Sequence, residues 1–122
     1  MFEKILLVDD EKNIRQIYQE ILTKSGYEVS VAKTAEEAVE QLKSQSFDLL
    51  ITDIRLPGKD GLSLLKEVRE IQHDIPSIVI TAYGTLQNAT DAIGQGVHRF
   101  LVKPLNHREV AESIVTALEK TN

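Results

Sequence analysis

Two short, largely apolar runs, each followed directly by aspartate, constrain the fold of this chain more than any other feature. The runs are Ile5-Leu6-Leu7-Val8, followed by Asp9 and Asp10, and Leu49-Leu50-Ile51-Thr52, followed by Asp53. A strand with one face in water alternates apolar and polar residues, whereas an unbroken apolar run indicates a strand that is buried on both faces. Such strands are typical of parallel sheets that carry helices on both sides.

Segments with the apolar spacing of helices lie between the strand-like runs. The sequence predicts strands over residues 5–8, 28–32, 49–52, 77–81 and 100–102, each followed by a helix, the first over 12–25 and the fourth over about 86–95. Ile17 and Ile93 are expected on the apolar faces of the first and fourth helices. Thr34 and Asn106 are expected to be the N-caps of the second and fifth helices. This alternation predicts an α/β fold, a doubly wound five-stranded parallel sheet with five helices.

Composition narrows the class of protein. The 122 residues carry 14 Lys and Arg against 19 Asp and Glu, a formal net charge of −5, and no Cys. A chain of this size is expected to form one domain, residues 1–122, around one core. The charge argues against direct binding of nucleic acid or anionic membrane by the domain, and the lack of Cys excludes thiol chemistry and Cys-ligated metals. No apolar run approaches the ~20 residues of a membrane span, and no signal-peptide pattern begins the sequence, so we expect a cytoplasmic location.

Polar residues follow several of the predicted strands. Right-handed crossovers bring the carboxyl ends of all parallel strands to one edge, so the side chains of Asp9, Asp10, Asp53, Thr81 and Lys103 should meet there. Three carboxylates in one cleft repel one another unless a cation neutralises them or one stays protonated. Carboxylates, a hydroxyl and an ammonium together suit a divalent metal and phosphoryl chemistry, with one carboxylate as the nucleophile.

Four motifs lie at the ends of predicted strands. They are Val8-Asp9-Asp10-Glu11, Ile51-Thr52-Asp53-Ile54-Arg55-Leu56-Pro57-Gly58-Lys59-Asp60-Gly61, Ile80-Thr81-Ala82-Tyr83-Gly84 and Phe100-Leu101-Val102-Lys103-Pro104-Leu105. Together they resemble the motifs of the response-regulator receiver domains of bacterial two-component signalling. The resemblance runs from Lys4 to about Lys120 and implies a flavodoxin-like (CheY-like) sheet with strand order 2-1-3-4-5.

The resemblance implies a role for each polar residue at this edge. Asp53 matches the phospho-acceptor, which takes a phosphoryl group from a sensor histidine kinase or a histidine phosphotransfer protein. Asp10 matches the direct ligand of Mg²⁺, with Mn²⁺ as an alternative, and Asp9 matches the acid that holds the metal through water. Asp53 itself and the Arg55 backbone carbonyl would complete the protein ligands. Lys103 matches the ammonium that pairs with the phosphoryl group.

The resemblance also implies a switch. Thr81 matches the hydroxyl that swings to the phosphoryl group, and Phe100 matches the aromatic residue that turns inward when Thr81 moves. Pro104 would follow a cis peptide bond after Lys103. Arg55 and Tyr83 stand two residues after the acceptor and the hydroxyl, near the path of hydrolytic water, and are expected to tune the lifetime of the phosphoryl group.

The sequence leaves alternatives for what the phosphorylated domain would act on. The resemblance implies a signalling module without small-molecule turnover, which assists its own phosphorylation and dephosphorylation. The motif sequences are similar to those of receivers at the N-terminus of enhancer-binding transcriptional activators and to those of stand-alone relay receivers. The domain could therefore control an output domain, including one for transcription, or a separate partner protein. A homodimer through the face of the fourth helix, fifth strand and fifth helix is a further alternative, although the fourth helix lacks the fixed charged set that winged-helix regulators use.

Each polar residue also has a simpler interpretation when taken alone. Adjacent acids after a strand can cap a helix, and an acid before a Pro-Gly loop can serve turn geometry. Thr81 could be an ordinary strand end and Lys103 a solvated cation. Their joint occurrence at successive strand ends favours the functional interpretation.

Two other classes of protein fit the residues less well. A phosphatase of the haloacid-dehalogenase type needs a second Asp two residues after its nucleophile, where this chain has Arg55. A flavodoxin-like cofactor carrier needs a Ser/Thr/Gly-rich loop after the first strand, where this chain has acids. The three histidines, His73, His98 and His107, lack metal-ligand spacing and are expected at the surface.

Overall fold

The structure, a computed structural model, describes residues 2–104 and 106–119, which form five strands alternating with five helices. The elements are β1 (Lys4–Val8), α1 (Lys12–Lys24), β2 (Glu28–Ala32), α2 (Ala35–Ser44), β3 (Leu49–Thr52), α3 (Gly61–Ile71), β4 (Ser77–Thr81), α4 (Leu86–Gly94), β5 (Arg99–Val102) and α5 (His107–Glu119). Leu105 of the fourth motif and Lys120, where the resemblance ends, lie outside the described residues. None of the five helices is long and apolar enough to cross a lipid bilayer.

All five strands belong to one sheet in the order β2-β1-β3-β4-β5. Each neighbouring pair is parallel, so every strand ends at the same edge. This arrangement confirms the predicted strand order and the doubly wound parallel architecture.

The sheet separates two apolar clusters. Along each central strand, successive side chains point alternately into one cluster and the other. Leu6 and Val8 of β1 face a cluster built with α2 and α3. Ile5 and Leu7 face a second cluster built with α1 and α5. Side chains alternate across a strand, so a strand that is covered on both faces must be apolar throughout. This explains the unbroken apolar runs.

Side-chain caps define where two helices begin. The Thr34 hydroxyl accepts a hydrogen bond from the Glu37 amide at 3.1 Å, as the predicted N-cap requires. The Glu37 carboxylate in turn accepts a hydrogen bond from the Lys33 amide at 3.1 Å, one residue before the cap. Asn106 Oδ1 accepts from the Arg108 amide at 2.8 Å at the start of α5. Both predicted caps are therefore present.

Two apolar positions differ from expectation. Ile17 of α1 is 49% exposed and Ile93 of α4 is 66% exposed. The buried residues of α1 are Tyr18 and Leu22, and α4 buries only Ala92. α4 contacts β5, the edge strand of the sheet, so less of the sheet lies beneath it than beneath a helix over the central strands. The predicted apolar faces of these two helices were therefore too wide.

Candidate functional site

The sheet brings Asp9, Asp53 and Lys103 together at its carboxyl edge, although β4 lies between β3 and β5. Val8 pairs with Thr52, so Asp9 and Asp53 leave β1 and β3 at the same level. The Asp53 amide still donates to the Val8 carbonyl at 3.1 Å. Lys103 follows β5, and its amide donates to the Thr81 carbonyl at 2.8 Å.

The Lys103 ammonium joins the two buried acids. Its Nζ donates to Asp9 Oδ2 at 2.9 Å and to Asp53 Oδ2 at 3.0 Å. The side chains of Asp9 and Asp53 are each only 5% exposed, and that of Lys103 is 13% exposed. Glu11 lies further out, with its Oε1 at 3.9 Å from Nζ. One cation thus balances two carboxylates that are largely shielded from water.

Backbone amides hold the other oxygen of each buried acid. Asp9 Oδ1 accepts from the Glu11 amide at 2.9 Å, and Asp53 Oδ1 accepts from the Arg55 amide at 3.1 Å. Both bonds reach two residues along the chain, the pattern of an Asx-turn. Each carboxylate is therefore fixed on one side by its own loop and on the other by Lys103.

Burial is the largest single influence on the pKa values of Asp9 and Lys103. Burial raises the pKa of the Asp9 carboxyl, although the Glu11 amide and Lys103 oppose the rise. Burial alone would lower the pKa of Lys103, but the hydrogen bonds and charges of Asp9 and Asp53 outweigh it and raise that pKa. Lys103 is therefore a cation throughout the physiological pH range.

The donor atoms of this edge fit a small, hard divalent cation. Asp9 and Asp53 are buried with Lys103 between them, and Asp10 is exposed next to them. Across residues 2–104 and 106–119, no three acid or histidine side chains are gathered as a metal-holding group. Mg²⁺ usually takes one or two carboxylates and completes its shell with waters and phosphate oxygens. The oxygen donors suit that cation better than one that needs a complete protein cage.

The switch residues that the resemblance singles out lie on β4 and β5. Thr81 is fully buried, and its Oγ1 accepts from the Tyr83 amide at 3.1 Å. Phe100 is half-buried and packs against the cluster on the α2–α3 side of the sheet. In the register of the sheet, Phe100 stands beside Val79, two residues before Thr81. The peptide bond between Lys103 and Pro104 is cis.

Arg55 and Tyr83 are in direct contact. The guanidinium carbon of Arg55 lies 4.0 Å from the centre of the Tyr83 ring, and both side chains are exposed. Spacing alone places these residues in two different loops, so the sequence does not reveal the contact.

The structure adds one residue that sequence reasoning missed. Arg15 of α1 donates from Nη1 to the Asp9 backbone carbonyl at 2.7 Å and so supports the loop that carries the acids. Its position in the second turn of α1 was the available signal, but a helical Arg is most often a solvated charge.

The histidines form no common site among the described residues. His73 contacts Asp74 at the surface, at 3.0 Å. His98 is half-buried, and its Nε2 lies 2.8 Å from Thr116 Oγ1, so it is less exposed than expected. His107 is exposed at the first residue of α5.

The fold and the site define a doubly wound α/β domain with an acid pair and a lysine at the carboxyl edge of its sheet. The chain belongs to the response regulator receiver domain family, whose model matches residues 5–115. As such it is a receiver domain of a response regulator, a signalling module.

Individual relatives agree with this assignment. The chain is 35% identical over 118 residues to the transcriptional regulatory protein ZraR of Escherichia coli K12, which covers 97% of this chain but 27% of that protein. A receiver domain protein of Methanospirillum hungatei JF-1 is similar in structure, with a TM-score of 0.94, 32% identity and coverage of 98% of this chain and 96% of that one. The response regulator TrrA of Thermotoga maritima, solved in complex with Mg²⁺-BeF, has a TM-score of 0.87, 35% identity and coverage of 96% and 100%. The chain thus spans about a quarter of the curated relative and nearly all of the solved domains.

Proposed function

We propose that residues 1–122 act in the cytoplasm as one receiver domain that accepts a phosphoryl group on Asp53 from a phosphohistidine of a sensor histidine kinase or phosphotransfer protein. The observation that carries this proposal is the Lys103 ammonium, which lies within hydrogen-bond distance of both Asp9 and Asp53. A buried group of one lysine and two acids at the ligand-binding edge of an α/β sheet gives the fold no more net stability than apolar residues of similar volume would. Such a lysine is useful when one of the acids gains further negative charge, because the ammonium then offsets that charge.

The chain's own residues account for the transfer. An oxygen of the Asp53 carboxylate attacks phosphorus, a P–O bond forms, and the P–N bond to the donor imidazole breaks with its electron pair leaving on nitrogen. Lys103 offsets charge on the transferred oxygens. Asp9, Asp10, Asp53 and the Arg55 carbonyl would hold Mg²⁺ or Mn²⁺. When bound, the metal would supply further positive charge to offset that of the phosphoryl group.

Thr81 and Phe100 convert the modification into a change of surface. The Thr81 hydroxyl leaves the Tyr83 amide and bonds to the phosphoryl group, and the Phe100 ring turns into the space that it vacates. A phosphoryl group adds roughly two negative charges beside Asp9, which favours the movement of a hydrogen-bond donor toward it.

The surface that changes is the face formed by α4, β5 and α5. Its exposed apolar side chains include Leu86 at 85%, Ile93 at 66% and Val102 at 46% exposure. A contiguous exposed apolar patch marks a contact surface, and we propose that these side chains contribute to one. This face would bind an output domain, including a transcriptional one as the name of the ZraR relative suggests, a partner protein or a second receiver.

Beryllofluoride with Mg²⁺, a mimic of an aspartyl phosphate, tests the proposal. We expect saturable binding by calorimetry, with shifts of the Thr81 and Val102 amides in ¹H–¹⁵N spectra. Asp53→Asn should abolish both, while Asp48→Asn, an exposed acid at the opposite edge of the sheet, should leave both unchanged. Binding that persists in Asp53→Asn would contradict the proposal.

A further inference from the structure

A cation–π contact closes over the two loops that flank the candidate acceptor. Arg55 lies in the loop between β3 and α3, and Tyr83 lies in the loop between β4 and α4. The guanidinium carbon stands 4.0 Å from the centre of the ring. We name this contact the Arg55–Tyr83 stack.

The backbone amides of the same two residues hold the two reacting side chains. The Arg55 amide donates to Asp53 Oδ1, and the Tyr83 amide donates to Thr81 Oγ1, both at 3.1 Å. Each bond spans two residues within its own loop. The stack therefore joins two small turns, one centred on the acceptor and one on the switch hydroxyl.

A third contact carries this arrangement to α4. Asn88 Nδ2 donates to the Tyr83 backbone carbonyl at 2.7 Å. Asn88 also donates its amide to the Thr85 hydroxyl, the N-cap of α4. A displacement of the Tyr83 backbone would therefore act on the first turn of α4 directly.

We propose that the Arg55–Tyr83 stack is a latch that holds Thr81 in its resting position and opposes the switch. This inference rests on the proposed function, because Thr81 must leave the Tyr83 amide to reach a phosphoryl group on Asp53. The stack holds the Tyr83 backbone in place, and so it holds the donor that retains the Thr81 hydroxyl. Arg55 and Tyr83 are positioning residues, which act on Thr81 and do not touch the phosphoryl group.

The size of the effect follows from the exposure of the contact. A cation–π pair at an exposed site corresponds to a factor of about two to five in an equilibrium constant. Removal of the stack should shift the switch toward its active arrangement by that factor. Loss of the Arg55 charge alone would act in the opposite direction, because a positive charge near the site favours an anion. The sign of the change therefore separates a latch from simple electrostatics.

The affinity for beryllofluoride in saturating Mg²⁺, measured by calorimetry, tests the latch. We expect Tyr83→Leu to bind about two- to fivefold more tightly than the wild type, and Tyr83→Phe, which keeps a ring, to bind like the wild type. Arg55→Ala should weaken binding more in the Tyr83→Leu background than in the wild type, because only the charge effect remains there. Arg108→Ala, which removes an exposed charge on α5, should change nothing.

Amide spectra without beryllofluoride provide a second readout. The Gly84 and Val102 amides of Tyr83→Leu should lie part of the way from their resting positions toward their beryllofluoride-bound positions. If Tyr83→Leu binds no more tightly than the wild type and its resting spectrum is not displaced, the latch is wrong while the proposed function stands. If wild-type protein does not bind beryllofluoride, the proposed function fails, and the latch fails with it.

Discussion

Lys103 Nζ donates a hydrogen bond to Asp53 Oδ2 at 3.0 Å across 50 residues of sequence. The Asp53 side chain is 5% exposed and that of Lys103 is 13% exposed, so water screens this pair very little. β4 lies between the strands that carry the two residues. The ion pair therefore connects β3 to β5 over the end of β4, where Thr81 stands.

Lys103→Met should destabilise the metal-free protein. The substitution keeps most of the side-chain volume and leaves Asp9 and Asp53 without their shared cation. Removal of one partner from a buried ion pair costs about 3–5 kcal/mol, and we expect about 3 kcal/mol because Lys103 is not completely buried. Urea unfolding in EDTA, followed by circular dichroism, measures the change.

Lys24→Met is the matched control for Lys103→Met. Lys24 pairs with Glu20 at 3.2 Å, but their side chains are 75% and 68% exposed. Exposed pairs contribute little to stability, so the control should unfold almost like the wild type. Equal losses in the two variants would show that the buried position of Lys103 has no special effect.

The stability of the metal-free protein should depend on pH through Asp9. Burial raises the pKa of Asp9 above its ordinary value of 3.8, so the folded protein binds this proton more tightly than the unfolded chain. The stabilisation by Asp9 is therefore fully present below pH 3.8 and is lost as the pH rises through the raised pKa. Lys103 does not interfere in this range, because its pKa is raised above 10.5 and its contribution is lost only at higher pH.

Comparison with Asp9→Asn isolates this effect. The unfolding free energy of the wild type minus that of Asp9→Asn should fall as the pH rises from acid toward neutral, and should then be constant. Urea titrations in EDTA across that range measure the difference, and Asp10→Asn controls for the loss of a negative charge at an exposed neighbour. A difference that increases with pH would contradict the assignment.

Gly61→Ala should distort the loop that carries the acceptor. A Cβ at Gly61 would stand 2.1 Å from the Asp53 carbonyl oxygen and 2.9 Å from the Ile54 Cα, and neither backbone atom can move alone. Overpacking of this kind costs about 1–3 kcal/mol. Gly94→Ala is the control, since a Cβ there meets nothing within 4 Å and should stabilise α4 by up to ~1 kcal/mol. In thermal unfolding, Gly61→Ala should lower the midpoint temperature and Gly94→Ala should raise it.

The sequence predicted the strands well because burial on both faces leaves a simple signal. All five predicted strands are present, and those at Glu28–Ala32, Leu49–Thr52 and Ser77–Thr81 have the expected bounds. A parallel sheet then brings the ends of β1, β3 and β5 to one edge by topology alone. The proximity of Asp9, Asp53 and Lys103 therefore follows from the strand order and needs no detailed packing.

Contacts that depend on loop conformation could not be predicted from the sequence. The contact between Arg55 and Tyr83 joins two loops whose backbone paths no periodicity encodes. The support of Asp9 by Arg15 depends on the angle at which α1 leaves its loop. The exposure of Ile93 depends on how little of the sheet remains for α4 to cover, and a pattern of apolar residues does not carry that information.

Arg55 and Tyr83 should also lengthen the life of the phosphoryl group. Both side chains are bulky and belong to the two loops near Asp53, and we expect them to restrict the approach of hydrolytic water. We expect the phosphorylated wild type to decay severalfold more slowly than the Arg55→Ala, Tyr83→Ala double variant in a single-turnover dephosphorylation assay. Equal decay rates would contradict this prediction but not the latch proposal, because the latch concerns an equilibrium and not a rate.

Thr81→Ala should separate phosphoryl acceptance from its consequence. Asp53, Lys103 and the metal ligands remain, so the variant should still bind beryllofluoride, with an affinity lower by about tenfold for one lost hydrogen bond to a charged group. The amides of α4 and β5 should shift far less than in the wild type, because no hydroxyl draws the loop after β4 inward. Thr81→Ser, which keeps the hydroxyl, should restore most of the shift. A full response of α4 and β5 in Thr81→Ala would mean that the signal reaches this face by a route other than Thr81 and Phe100.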